Sequence, residues 1–227
     1  MTLHPQPLLR SLVALTAIAA LGYAAWDAAR RGLADWISMR ARYEVAAWAE
    51  KGPGLERERW SRAMDALRAA ARLLPEDPTL REHLGVGYDL GQAMFDPART
   101  MNAYAETALG QFREAARLRP TSPLTWANMA LMKYHLGRAD AETYRALELA
   151  MTLGPWEPNV QLVAAELGLL LWDRLDPSLQ ALVRENWART AYRQAGQLHA
   201  IAAIHKREPI LCSQAPDALK IRLKCPV

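Results

Sequence analysis

The chain reads as all-α: an N-terminal membrane helix followed by an α-solenoid of antiparallel helix pairs. Three observations predict this. A phrase of the form Pro-x-x-Pro recurs three times, as Pro75 to Pro78, Pro120 to Pro123 and Pro155 to Pro158. Each phrase closes a run with the same apolar register. Leu67, Phe112 and Leu147 stand eight residues before the first proline, Ala70, Ala115 and Ala150 five before it, and Leu73, Leu118 and Leu153 two before it. Ten residues after it comes a small residue, Gly85, Ala130 or Ala165. A helix–turn–helix unit that recurs in this way is the mark of a repeat array, in which each unit buries its apolar face against the next.

The first element is the segment from Ser11 to Trp26, which holds no charge. At 1.5 Å per residue it spans roughly 24 Å, close to the hydrocarbon core of a bilayer. Leu8 and Leu9 extend it past Arg10, whose side chain can snorkel to the interface. Residues 1–27 therefore read as a transmembrane anchor, with residues 8–26 in the membrane. A signal peptide cleaved after Ala24 is the competing reading, since Gly22 and Ala24 are suitably small. The anchor is preferred because helical sequence continues without a break through residues 28–54, a helical connector that ends at Lys51-Gly52-Pro53-Gly54.

Residues 55–206 form the repeat domain. Trp60, Ala63, Leu67, Ala70 and Leu74 recur three or four apart and give the first helix of this part an apolar stripe. The later helix starts share one device: Asp77-Pro78, Asp96-Pro97, Ser122-Pro123 and Asp176-Pro177 each place a capping side chain before a proline at the first helical position. The cap accepts from an orphan helix N–H, and the proline has none to lose. Helices are expected near 78–90, 97–119, 123–136, 139–153, 158–173 and 177–206, the last breaking near Gly196. The tail, 207–227, is not helical in pattern.

The interval from Pro120 to Pro155 is close to the 34-residue unit of tetratricopeptide repeats. Trp126, Met129, Ala130, the Gly137 turn, Ala150 and Pro155 resemble that repeat's pattern, with Lys133 in place of the usual aromatic. The resemblance covers about Trp60 to Trp172 and implies a groove lined by the first helix of each unit. The partner-binding candidates on that groove are His83, Asn128, Leu131, Tyr134, His135 and Glu166. The groove offers Asn128 but few basic residues, so it suits a protein segment rather than a peptide carboxylate.

Chemistry is sparse. No two of the five histidines have metal-ligand spacing, and no cofactor is expected. Gly85-Val86-Gly87 lacks the preceding strand and third glycine of a dinucleotide site. For a glycosidase, two carboxylates must converge, and Glu82 with Glu166 is the pair to test. A net charge of +4, with arginines spread along helices, argues against nucleic acid. The expectation is a non-catalytic protein.

Topology signals conflict. Arg30, Arg31, Arg40 and Arg42 follow the span, which by the positive-inside rule would hold the body in the cytoplasm. The two cysteines, Cys212 and Cys225, both lie in the tail. Their placement suits a disulfide in an oxidising compartment, worth about 3 kcal/mol in the chain-entropy model, with two unpaired thiols as the other reading. On balance the body is placed in the periplasm, behind a single-pass inner-membrane anchor.

The segment from Trp126 to Gly137, then Asp140-Ala141-Glu142, then Leu153-Gly154-Pro155-Trp156-Glu157-Pro158-Asn159-Val160-Gln161, is similar to the P-protein family of bacterial exopolysaccharide biosynthesis. Leu167 to Trp172, an Arg-rich helix and a short Cys-containing tail also resemble that family's layout. The resemblance implies a scaffold that binds envelope proteins of a polysaccharide assembly or export machinery. The alternative is an accessory scaffold of another envelope pathway, such as cytochrome maturation, pilus assembly or secretion. A glycan-active enzyme ranks below both.

Overall fold

A computed structural model describes residues 6–51, 56–95 and 97–226. Among the described residues the protein is all-helical. Its helices are α1 (Gln6–Lys51), α2 (Arg57–Leu73), α3 (Pro78–Met94), α4 (Pro97–Leu118), α5 (Pro123–His135), α6 (Ala141–Leu153), α7 (Pro158–Leu171), α8 (Pro177–Ile204), α9 (Glu208–Gln214) and α10 (Asp217–Lys220). A single 3₁₀ turn, Trp172–Arg174, follows α7. The predicted break at Gly52–Gly54 and the cap at Asp96 lie outside the described residues.

α1 is one continuous helix of 46 residues. Its N-terminal half is long and apolar enough to cross a membrane, and the most apolar window is wholly uncovered by the rest of the chain. Its C-terminal half is more than a connector. Ala34, Ala41, Val45 and Trp48 are buried with Trp60, Met64 and Leu67 of α2. Residues 34–48 thus supply the first wall of the body, because their apolar side chains repeat at helical spacing on one face.

Packing follows chain order. α1 lies on α2, α3 on α4, α5 on α6 and α7 on α8. Each odd-numbered helix also touches the next, α1 with α3, α3 with α5 and α5 with α7. One core runs from α1 to α3 and a second from α4 to the tail, and Val86 and Tyr88 on α3 touch both.

The three Pro-x-x-Pro turns repeat bond for bond. Leu74, Arg119 and Gly154 donate to Ala70, Ala115 and Ala150, and Asp77, Ser122 and Glu157 donate to Leu74, Arg119 and Gly154. Six residues after each first proline a side chain reaches back to that proline's carbonyl. The donors are Arg81 to Pro75, Trp126 to Pro120 and Gln161 to Pro155, at 3.3, 2.8 and 2.9 Å. Three unlike residues therefore satisfy the same orphan acceptor, and sequence identity does not reveal the equivalence.

The register residues divide into two kinds. Ala70, Ala115 and Ala150 are fully buried, as are Leu67, Phe112 and Leu147. The recurring leucine two before the proline is only half-buried at Leu73 and Leu118 and is exposed at Leu153. Gly85 is needed where it stands: a Cβ there would lie 2.6 Å from the Phe112 ring.

Several expectations are corrected. Asp77 and Asp176 cap as predicted, accepting from Thr79 and Leu80 and from Leu179. Ser122 makes no capping bond, because its hydroxyl donates to Glu82 at 2.9 Å. α6 begins at Ala141 through a capping box of Asp140 and Thr143. α8 kinks at Gln194, two residues from the expected neighbourhood of Gly196, and the Gln194 side chain donates to the Pro158 carbonyl at 3.2 Å. The tail is helical: Pro209 stands second in α9, after Glu208, and Pro216 is the residue just before α10. It folds back on α8, burying Leu211 and Leu223, and Cys212 and Cys225 form a disulfide with Cα atoms 5.5 Å apart.

Candidate functional site

The predicted groove residues lie on α3, α5 and α7, and the contacts among these helices bring part of the set together. His135 at the end of α5 faces Asp89 of α3, with 3.9 Å between the imidazole nitrogen and the carboxylate. Burial pushes the Asp89 carboxyl up, and the nearby His135 opposes this in part. Tyr134 lies beside His135, ring centroids 6.3 Å apart, and packs with Leu131 against the core. Asn128 is half-buried nearly two turns before His135 on α5.

The other two candidates make different contacts. The His83 ring is tied to its own helix through the Thr79 carbonyl at 2.8 Å. Glu166 on α7 meets His205 at the end of α8, 2.7 Å away. Two histidine–carboxylate pairs therefore bridge neighbouring helices on this part of the molecule. The partner of Glu166 was hidden in sequence by a separation of 39 residues.

The carboxylates proposed for acid–base work sit in separate networks. Glu82 accepts from Arg119 at 2.5 Å, from Ser122 at 2.9 Å and from Thr125. Burial pushes its pKa up, but the hydrogen bonds from Thr125, Arg119 and Ser122 outweigh burial and hold it below the usual carboxylate range. Glu82 is thus an ionised strut that ties α3 to the junction of α4 and α5. Glu166 is engaged with His205. Glu82 lacks the elevated pKa that a general acid needs.

Lys133 is the residue whose role the sequence obscured. It stands where the sequence resemblance expects an aromatic residue, and its side chain is 2% exposed. Its ammonium donates to Asp140 at 2.9 Å and to Glu142, and Glu142 also accepts two bonds from Arg113, at 2.8 and 2.6 Å. A buried ammonium is tolerable only when paired in this way. The Lys133 hydrogen bond holds Asp140 at about 2, and the Arg113 bond, aided by Lys133, holds Glu142 at about 2.

No group of three or more potential ligands able to hold a metal occurs among the described residues. A cleft of about 200 Å³ lies beside α1, lined by Arg31, Asp35, Ser38, Arg42 and Asp77 among others, away from the α3–α5–α7 face. No known protein family matches the chain by its sequence profile, and no curated protein matches it.

Proposed function

We propose that the protein is a non-catalytic, membrane-anchored scaffold of the bacterial envelope, a tetratricopeptide-like solenoid whose α3, α5 and α7 face grips a segment of a partner protein. The observation that carries this reading is the repetition of one turn three times, with each odd-numbered helix seated on the next. That arrangement lines successive first helices along one surface, the geometry repeat proteins use for binding. Asn128, Leu131, Tyr134 and His135 give that surface a mixed polar and apolar character suited to a polypeptide. The disulfide supports a periplasmic body, and the uncovered apolar half of α1 supports an inner-membrane anchor. The sequence resemblance favours exopolysaccharide assembly or export as the pathway.

The test is crosslinking in intact membranes through p-benzoylphenylalanine placed at Leu131 or His135, with the products identified by mass spectrometry. Polysaccharide polymerase, co-polymerase or export components are expected. Cytochrome or pilus factors would overturn the pathway, and the same yield as at exposed Tyr192 would overturn the groove. Thiol labelling before and after reduction checks the compartment, since a periplasmic disulfide reacts only after reduction.

A further inference from the structure

α1 has a second apolar face. The first is buried in the body through Ala34, Ala41 and Val45. The second points away from it, with Trp26 57%, Leu33 47%, Trp36 75% and Tyr43 77% exposed. With Ala29 and Arg40 these residues alternate at spacings of three and four from the membrane half of the helix into the body half. The period is 3.5, that of a heptad seam in which Trp26, Leu33 and Arg40 take one core position and Ala29, Trp36 and Tyr43 the other.

We propose that this seam pairs with the same seam of a second copy, forming a parallel two-stranded coiled coil that rises from the membrane. Tyr43 stands about 25 Å along the axis from Trp26, well beyond the few ångströms of headgroup layer that follow the hydrocarbon core. Lipid can therefore cover only the lower end. Copies inserted in one direction present parallel seams at one depth, so direction and register are fixed before contact. With the rings 57%, 75% and 77% exposed and each ring worth about 150–250 Å² in full, burying them with Leu33 covers roughly 400–600 Å², below the roughly 800 Å² per partner of a stable interface between soluble proteins. Confinement to one bilayer supplies the effective concentration that makes up the remainder. Arg40 is the polar core position of the seam, of the kind that fixes register and strand number at some loss of stability. Its side chain is 85% exposed and lies 3.2 Å from Glu44, a carboxylate it shares with Arg59 at 3.2 Å, which offsets part of the charge at the point where two guanidiniums would face each other.

The test uses the full chain in its membrane, expressed as two differently tagged copies. A p-benzoylphenylalanine crosslinker replaces Trp36, Tyr43 or, as control, Tyr192, which is 70% exposed on α8. Products carrying both tags are expected at Trp36 and Tyr43, at least tenfold above those at Tyr192. With the crosslinker at Tyr43, Trp36→Glu lowers the yield at least tenfold while helicity by circular dichroism and the masked thiols stay unchanged. Yields equal to the control, or a product joining this seam to a different protein, would overturn the proposal. The inference rests on the anchor reading for the direction of the pair. Carbonate extraction of the same membranes reads that anchor separately from the crosslink.

Discussion

The two ends of the helix row are finished differently. At the C-terminal end, α8 would expose its outer side were it not covered by the tail: Leu211, Leu223 and Cys225 are buried against it, and the Cys212–Cys225 disulfide clips the cover in place. At the N-terminal end, α1 closes the body with Ala34, Ala41 and Val45 but leaves Leu33, Trp36 and Tyr43 in the open. Repeat arrays need a terminal unit with a polar outer face to stay soluble. One end meets that need with a cap built from its own chain. The other end is apolar on both sides, and it is also the end that carries a helix long and apolar enough to cross a membrane. The helix row therefore has one end covered by its own chain and one end left uncovered.

The largest effect should come from breaking the inner side of the open end. Val45 is fully buried, so Val45→Asp places an unpaired carboxylate in an apolar contact at about 4 kcal/mol or more. Trypsin should then cut within α2, at sites such as Arg62 or Arg68, that are protected in the parent. Tyr43→Asp, two residues away on the outer side, should change the thermal midpoint of detergent-diluted protein by no more than about 0.5 kcal/mol equivalent. Equal effects at the two positions would mean that α1 is not the wall of the first pair. At the closed end, Cys212→Ser should cost about 3 kcal/mol by the loop-closure argument. Hydrogen exchange should rise in α9, α10 and the end of α8 and stay unchanged in α2 to α5.

The ends also differ in how far the sequence exposed them. The proline turns were legible because their chemistry is local: a proline at the first helical position and two backbone hydrogen bonds just before it act within a few residues. The buried alanines five before each proline were legible for the same reason. What could not be read depends on residues distant in the chain. Arg81, Trp126 and Gln161 serve one acceptor with three side chains, so no shared letter marks them. Glu166 and His205 meet only because α7 folds on α8. The tail looked irregular because its helices are only one or two turns long, too short for a period to show. The outer seam of α1 did have a signal, the spacing of Leu33, Trp36, Arg40 and Tyr43. A reading of the same stretch as a connector passes over it.

Between the ends, the units hold one frame with exchangeable filling, and a smaller effect tests that. Gly85 on α3 lies against the Phe112 ring of α4, and a Cβ would approach it to 2.6 Å. The next unit has Ala130 and Leu147 at the same register, a larger residue facing a smaller one. Gly85→Ala should therefore cost about 2 kcal/mol through overpacking. Adding Phe112→Leu should recover most of it, since the pair then copies the neighbouring unit. A double-mutant cycle on thermal stability reads the coupling. Additive losses would show that the two units are not equivalent.

The smallest effect concerns the filling that departs furthest from its neighbours, the buried Lys133. Asp140 and Glu142 are held at about 2 in the folded chain against ordinary values of 3.8 and 4.5. Their folded values are depressed, so the stabilisation they give is complete above the ordinary range and disappears as pH falls from about 5 towards 2. Both carboxylates are partly exposed, at 52% and 40%, so solvent screening leaves about 1 kcal/mol of the effect. Lys133→Met removes the bond that lowers Asp140 most and keeps the buried volume. Its thermal midpoint should fall less than the parent's between pH 5 and pH 2.5. At pH 7 it should lie below the parent's by no more than about 1 kcal/mol equivalent, because the two carboxylates left behind are 52% and 40% exposed and stay solvated. Glu142 keeps Arg113 in this variant, so part of the acid sensitivity should persist until Arg113→Met is added. Parallel acid profiles for parent and Lys133→Met would show that the Lys133 ion pairs add nothing to the stability of the middle of the row.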